Sequence, residues 1–103
     1  MVLLEFSISP LDKGESLSAY VARAIDIIER SGINYLHNPM GTVLEGEYDQ
    51  VMAVVRDCFL ELQKDCKRIS MTMKMDYRKG SQSRMESKMA KIRSILGKDI
   101  KTD

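Results

Sequence analysis

The chain has 103 residues, 44% hydrophobic and 30% charged, with a formal net charge of +1. This composition fits one compact domain over residues 1–103, and no apolar run approaches the roughly 20 residues a membrane helix needs. The opening Met1-Val2-Leu3-Leu4-Glu5-Phe6 has no basic leader and meets a carboxylate at once, so it does not read as a signal peptide. A cytoplasmic location is the expectation, and a domain this small gains from oligomerisation.

The near-neutral total hides an asymmetry. Residues 1–77 hold 8 Lys+Arg against 12 Asp+Glu, whereas residues 78–103 hold 8 against 3. Such a basic tail can hold phosphates, but on a short helix it also serves as a solvated face or complements an acidic neighbour.

The first predicted element is a strand, because Val2, Leu4, Phe6 and Ile8 alternate with Leu3, Glu5, Ser7 and Ser9 until Pro10 ends it. Leu17, Val21, Ala24, Ile25 and Ile28 then fall on one face of a helix, which Gly32 closes. Ile33–His37 and Thr42–Gly46 read as two strands of a hairpin around Asn38-Pro39-Met40-Gly41. That residue order suits a type I turn, and a left-handed Gly41 would add a bulge.

A second helix begins near Asp49, buries Val51, Val55, Cys58, Phe59 and Leu62, and ends near Cys66 or Lys67. Its two cysteines lie eight positions apart, about 12 Å along a helix, too far for a disulfide. With one His, no close cysteine pair and no local cluster of ligands, metal binding is poorly supported, and His37 reads as a strand residue with a satisfied ring. The next strand alternates cleanly, with Ile69, Met71, Met73, Met75 and Tyr77 toward the helices as core and Ser70, Thr72, Lys74 and Asp76 away from them. Arg78-Lys79-Gly80-Ser81 breaks it, and a C-terminal helix over about 83–96 carries Met85, Met89, Ile92 and Leu96 on one stripe.

This order predicts an α+β, ferredoxin-like βαββαβ fold with a four-stranded antiparallel sheet and an extra C-terminal helix. The crossover rule places the first and last strands in the middle and the hairpin strands at the edges. Both crossover helices cover one face. The other is left to Glu5, Ser7, Ser9, Thr72, Lys74 and Asp76, polar enough for solvent or for a wet interface with another subunit.

No catalytic constellation is legible, and there is no Walker loop or Gly-x-Gly-x-x-Gly. The candidates are groups that hold a ligand, and each has a plain structural reading beside it. Thr42 and Glu45 offer a hydroxyl and an anionic acceptor at the hairpin, although Thr suits a strand and an exposed Glu needs no reason. Asp76 and Arg78 share a strand face, where they pair with each other or grip a ligand. The hydroxyls of Ser7 and Ser9 can donate, as any outward Ser can.

The run from Gly32 through Glu47, with Pro39-Met40-Gly41-Thr42 and Glu45-Gly46 as its specific part, followed by Tyr48-Asp49-Gln50-Val51 and by Met75-Asp76-Tyr77-Arg78-Lys79, resembles the MTH1187/YkoF-like family of thiamine-binding proteins. The resemblance covers nearly the whole chain. It implies a ferredoxin-like fold assembled as a homo-oligomer, a tetramer built from two dimers, that binds thiamine or its hydroxymethylpyrimidine half without catalysis and without a cofactor. Carried over, it implies a ligand site of Met40, Gly41, Thr42 and Glu45, with Asp76 and Arg78 nearby and Ser7 and Ser9 as further members. The expected chemistry is an anionic Glu45 against the thiazolium cation, a Thr42 hydroxyl and a Met40 wall.

Three other readings stand beside it. The strand order is shared by RNA-binding modules, but the open face lacks aromatic rings for base stacking. A small enzyme would need a nucleophile and base pair that the sequence does not display. A purely structural or regulatory oligomer would use the open face for assembly alone. No nucleic acid and no membrane are expected as partners.

Overall fold

The computed structural model describes residues 1–80 and 82–102; the part of the expected break that falls on Ser81 lies outside the described residues. The elements are β1 (Val2–Pro10), α1 (Ser18–Ser31), β2 (Asn34–Asn38), β3 (Gly41–Gly46), α2 (Tyr48–Gln63), β4 (Ile69–Tyr77) and α3 (Arg84–Leu96). This is the expected α+β, ferredoxin-like architecture. Among the described residues, no helix is long and apolar enough to cross a membrane.

The strand order is β2-β3-β1-β4, with every neighbour antiparallel. This corrects the expected order: β1 and β3 are central, and β4 is an edge. Each strand–helix–strand unit skips one position in the sheet, and the skipped position is filled by a strand of the other unit. Right-handedness alone does not say which strand fills it.

The consequence is visible in burial. Val2, Leu4, Phe6 and Ile8 of central β1 are all buried, as is Leu44 of β3, and they meet Ala24 and Ile28 of α1 and Val51, Val54, Val55, Cys58 and Leu62 of α2. Each fully buried Leu or Ile contributes about 1.5–3 kcal/mol of transfer free energy. The methionine stripe of β4 behaves otherwise: Ile69 and Met71 pack on the core, whereas Met73 and Met75 are 49% and 42% exposed. The helices sit over β1 and β3, so an edge strand's inward stripe is only partly covered.

Gly32 caps α1 at φ 75°, a left-handed conformation that suits glycine, and its N–H donates to the Glu29 carbonyl. Arg23 ties α1 to Glu61 of α2 and to Asp65 just beyond its end. Pro10 is the last residue of β1, opposite Ile69. Beyond Phe6, β1 has β4 on one side and no β3 partner on the other, so a residue without an N–H is tolerated there. Cys58 and Cys66 are both free and buried, and burial pushes the Cys58 thiol up to about 12.

Candidate functional site

Beyond Gly41, where β3 begins, β1 runs on with only β4 beside it, and the hairpin turn, the free side of β1 and helix α1 frame a cavity of about 200 Å³. His37 and Thr42 border it with polar groups, Ser7 and Ser9 line it from the β1 edge with side chains that alternate away from Phe6 and Ile8, and its apolar wall is made by Phe6, Ile8, Val21, Ile25 and Ile28, with the exposed Met40 at its mouth. Five of the residues singled out from the sequence, Ser7, Ser9, Met40, Gly41 and Thr42, therefore meet in one place.

The turn is built as its residues require. The Asn38 carboxamide oxygen accepts from the N–H groups of Met40, at 2.8 Å, and Gly41, at 3.1 Å. Pro39 fixes its own φ near −65° and Met40 has no positive φ, which leaves a type I conformation across the two-residue loop. Gly41 is not left-handed and makes no bulge of the expected kind. Glycine is needed there for another reason: a Cβ would lie 2.8 Å from the carbonyl oxygen of Phe6.

Thr42 is 4% exposed, and its hydroxyl lies 2.8 Å from Nδ1 of His37, its cross-strand partner. His37 is thus hydrogen-bonded, as a strand residue should be. It also stands between the cavity and a second, shallower groove of about 730 Å³ between α1 and β2, which shares Val21, Ile25 and His37 with it. Glu15, Asp26 and Glu29 line that groove, and the Tyr35 hydroxyl donates to Glu29.

The other three sequence candidates lie elsewhere. Thr42 pairs with Phe6 and Glu45 with Leu3, so a spacing of three along a strand sets Thr42 on the helix-covered face and Glu45 on the opposite one. Glu45 is 3% exposed and fully engaged: it accepts from Ser83 Oγ at 2.6 Å, the Arg84 N–H at 2.6 Å, the Met85 N–H at 3.2 Å and the Asn34 side chain at 3.0 Å. It caps α3 from across the chain, satisfying N–H groups that a helix start leaves open. Burial raises its pKa, but these four hydrogen bonds outweigh that and hold the carboxyl below its ordinary 4.5.

Asp76 does not pair with Arg78. Its carboxylate takes a 2.6 Å bond from Arg84, whose side chain is buried, with Lys88 at 3.5 Å, and the Arg84 hydrogen bond holds its pKa below 3.8. Arg78 sits past the other end of β1, beside Met1, and lines a basic recess with Lys79, Gln82 and Arg84. From the register, that is roughly 15–20 Å along β1 from the hairpin turn. Within one chain, Asp76 and Arg78 do not reach the cavity.

Residues 4–93 match the model of a family described as thiamine-binding protein. The chain belongs to the thiamine-binding protein family. Among relatives, protein MJ1052 of Methanocaldococcus jannaschii is 35% identical over 91 residues, 88% of this chain and 91% of its own length. A protein of Methanothermobacter thermautotrophicus is 30% identical over 99 residues, 93% of this chain and all of its own length. The crystal structure of MJ1052 matches with a TM-score of 0.81, covering 88% of this chain and 94% of that one. A Thermotoga maritima structure, of a protein assigned provisionally to thiamine biosynthesis or salvage, matches with a TM-score of 0.77 at 28% identity, covering 89% and 98%.

As a thiamine-binding family member, the chain presents its cavity on the side of the sheet that carries α1 and α2, not on the open face. That face is partly taken by α3, whose first turn is fixed by Glu45 and Asp76 and whose Met85 and Met89 stand beside Asn34 and Leu36. Sequence reasoning did not foresee the part played by Ser83 and Arg84. Ser83 preceding a helix was a legible capping signal, but its hydroxyl donates to Glu45 instead of closing its own helix.

Proposed function

We propose that this protein binds thiamine or its hydroxymethylpyrimidine half without turning it over, serving as a carrier, reserve or sensor. The supporting observation is the cavity beside the hairpin turn, where Ser7, Ser9, Met40, Gly41 and Thr42 converge. Its size suits one ring: an engineered cavity of roughly 150 Å³ takes a benzene, and about 200 Å³ leaves room for ring substituents. The His37–Thr42 pair supplies a donor and an acceptor for an aminopyrimidine, and the exposed Met40 at the mouth offers a polarisable thioether.

Binding without turnover is part of the same proposal, and its support is the family's description as a binding protein. The open face, lined by residues such as Glu5, Ser7, Thr72 and Lys74, offers no aromatic platform, which favours a small molecule over RNA.

Isothermal titration of the purified protein with thiamine and with hydroxymethylpyrimidine tests the reading. Saturable heat is expected with both; a folded protein that gives none at millimolar ligand would sink it. A homo-oligomer, a dimer or a tetramer of two dimers, is part of the same proposal. Its support is the nine-residue edge strand β4, which leaves Met73, Met75 and Tyr77 exposed beside unpaired backbone. Native mass spectrometry that finds monomer alone at micromolar concentration would remove it.

A further inference from the structure

We infer that the cleft selects the unphosphorylated, positively charged form of its ligand and rejects the phosphate esters; the inference rests on the function proposed above. Two observations on the same side of the molecule carry it. The cavity is large enough for one ring only, and it adjoins a groove that is acidic.

Thiamine has two rings joined by a methylene bridge: a neutral aminopyrimidine and a thiazolium with a permanent positive charge. A cavity of about 200 Å³ holds one of them. Its walls decide which, because Ile8, Ile25 and Ile28 offer an ionic ring no charge or hydrogen-bond partner in exchange for its lost hydration. The pyrimidine enters and the thiazolium stays outside. The neighbouring surface along α1 is the groove that shares Val21, Ile25 and His37 with the cavity, and the thiazolium is assigned to it.

That groove is lined by the carboxylates of Glu15, Asp26 and Glu29 and by no Lys or Arg. Arg30 reaches Asp26 at 3.0 Å, and Tyr35 donates to Glu29 without cancelling its charge. Glu15 and Glu29 are left without a basic partner among the described residues, exposed in the groove beside the cavity. Opposite charge there favours thiamine. The hydroxyethyl arm of the thiazolium continues into the same groove, and a phosphate on that arm brings about −1.5 to −2 charges among the carboxylates. Attraction then becomes repulsion, and the like charges stay only partly screened at low ionic strength.

The experiment is a titration of the full chain with hydroxymethylpyrimidine, thiamine and thiamine monophosphate at low and at high salt. Monophosphate is expected to bind at least about tenfold more weakly than thiamine at low salt, with the gap narrowing at high salt. In a Glu15→Gln/Asp26→Asn/Glu29→Gln variant, shown to be folded by its circular dichroism melt, the gap is expected to collapse. Thiamine should lose affinity there and hydroxymethylpyrimidine far less, since it has no cation to place.

Monophosphate that binds as tightly as thiamine overturns the inference, as does a gap that survives in the triple variant. In either case the binding of thiamine itself leaves the proposed function standing. If neither thiamine nor hydroxymethylpyrimidine binds, the proposed function fails and takes this inference with it.

Discussion

Glu45 and Ser83, 38 residues apart in the chain, are joined by a 2.6 Å hydrogen bond in which the serine hydroxyl donates to the carboxylate. The same carboxylate accepts the N–H groups of Arg84 and Met85, so one strand residue holds the first turn of α3 against the sheet. The rest of α3 is loosely held: Ile92, Ile95 and Leu96 are 41%, 76% and 52% exposed.

Glu45→Ala should therefore release α3 while the sheet and the other helices persist. Leaving buried N–H groups without an acceptor costs about 1–3 kcal/mol. Urea denaturation should show that loss, and hydrogen exchange should show faster exchange confined to residues near 84–90. Because Glu45 and the cavity lie on opposite faces, hydroxymethylpyrimidine affinity should hold; a drop of about tenfold would return Glu45 to the ligand site.

Acid should release the same helix. The folded carboxyl of Glu45 lies below its ordinary 4.5, and that of Asp76 below 3.8, because each accepts hydrogen bonds that favour the charged form. A depressed folded pKa gives stability that is fully present above the unfolded value and is lost as pH falls through the folded one. From pH 7 to about 5, neither group changes stability; below about 4.5, thermal melts should fall with pH. In Glu45→Gln that acid-dependent step should shrink, and an α3 that melts between pH 5 and 7 would contradict this assignment.

Gly41→Ala puts a methyl group 2.8 Å from the Phe6 carbonyl oxygen, a backbone atom in the middle of a central strand. The strand pair must shift to admit it, at a cost of about 1–3 kcal/mol. A lowered melting temperature is expected together with weaker ligand binding, because the same contact shapes the cavity. An unchanged melt would mean the hairpin is free to give.

Thr42→Val keeps the shape of a buried residue and removes its hydroxyl from His37. Losing one hydrogen bond costs about 0.5–1.5 kcal/mol of stability, and the exposed His37 ring finds water instead. Affinity for hydroxymethylpyrimidine should fall about tenfold if the hydroxyl also meets the ring. Titration of the variant measures this, and full affinity would place Thr42 outside the contact.

Local structure was legible because burial imprints a period on the chain. Alternation from Val2 to Ile8 marked β1, a helical stripe from Leu17 to Ile28 marked α1, and Asn38-Pro39-Met40-Gly41 marked the turn that became the cavity rim. The separation of Thr42 from Glu45 was also present in the sequence, since an odd spacing on a strand means opposite faces. Asp76 and Arg78 have an even spacing, yet Arg78 lies beyond the strand end, and Asp76 found its partner in Arg84.

The sequence by itself determined which segments are helix, strand and turn, because those depend on neighbours a few residues away. It also carried the family, through the run around the hairpin. Only the tertiary structure decided that β1 and β3 lie in the middle, that the stripe of Met73 and Met75 stays uncovered, and that Glu45 serves a helix. Those outcomes depend on contacts between residues tens of positions apart, for which a period of two or 3.6 residues holds no record.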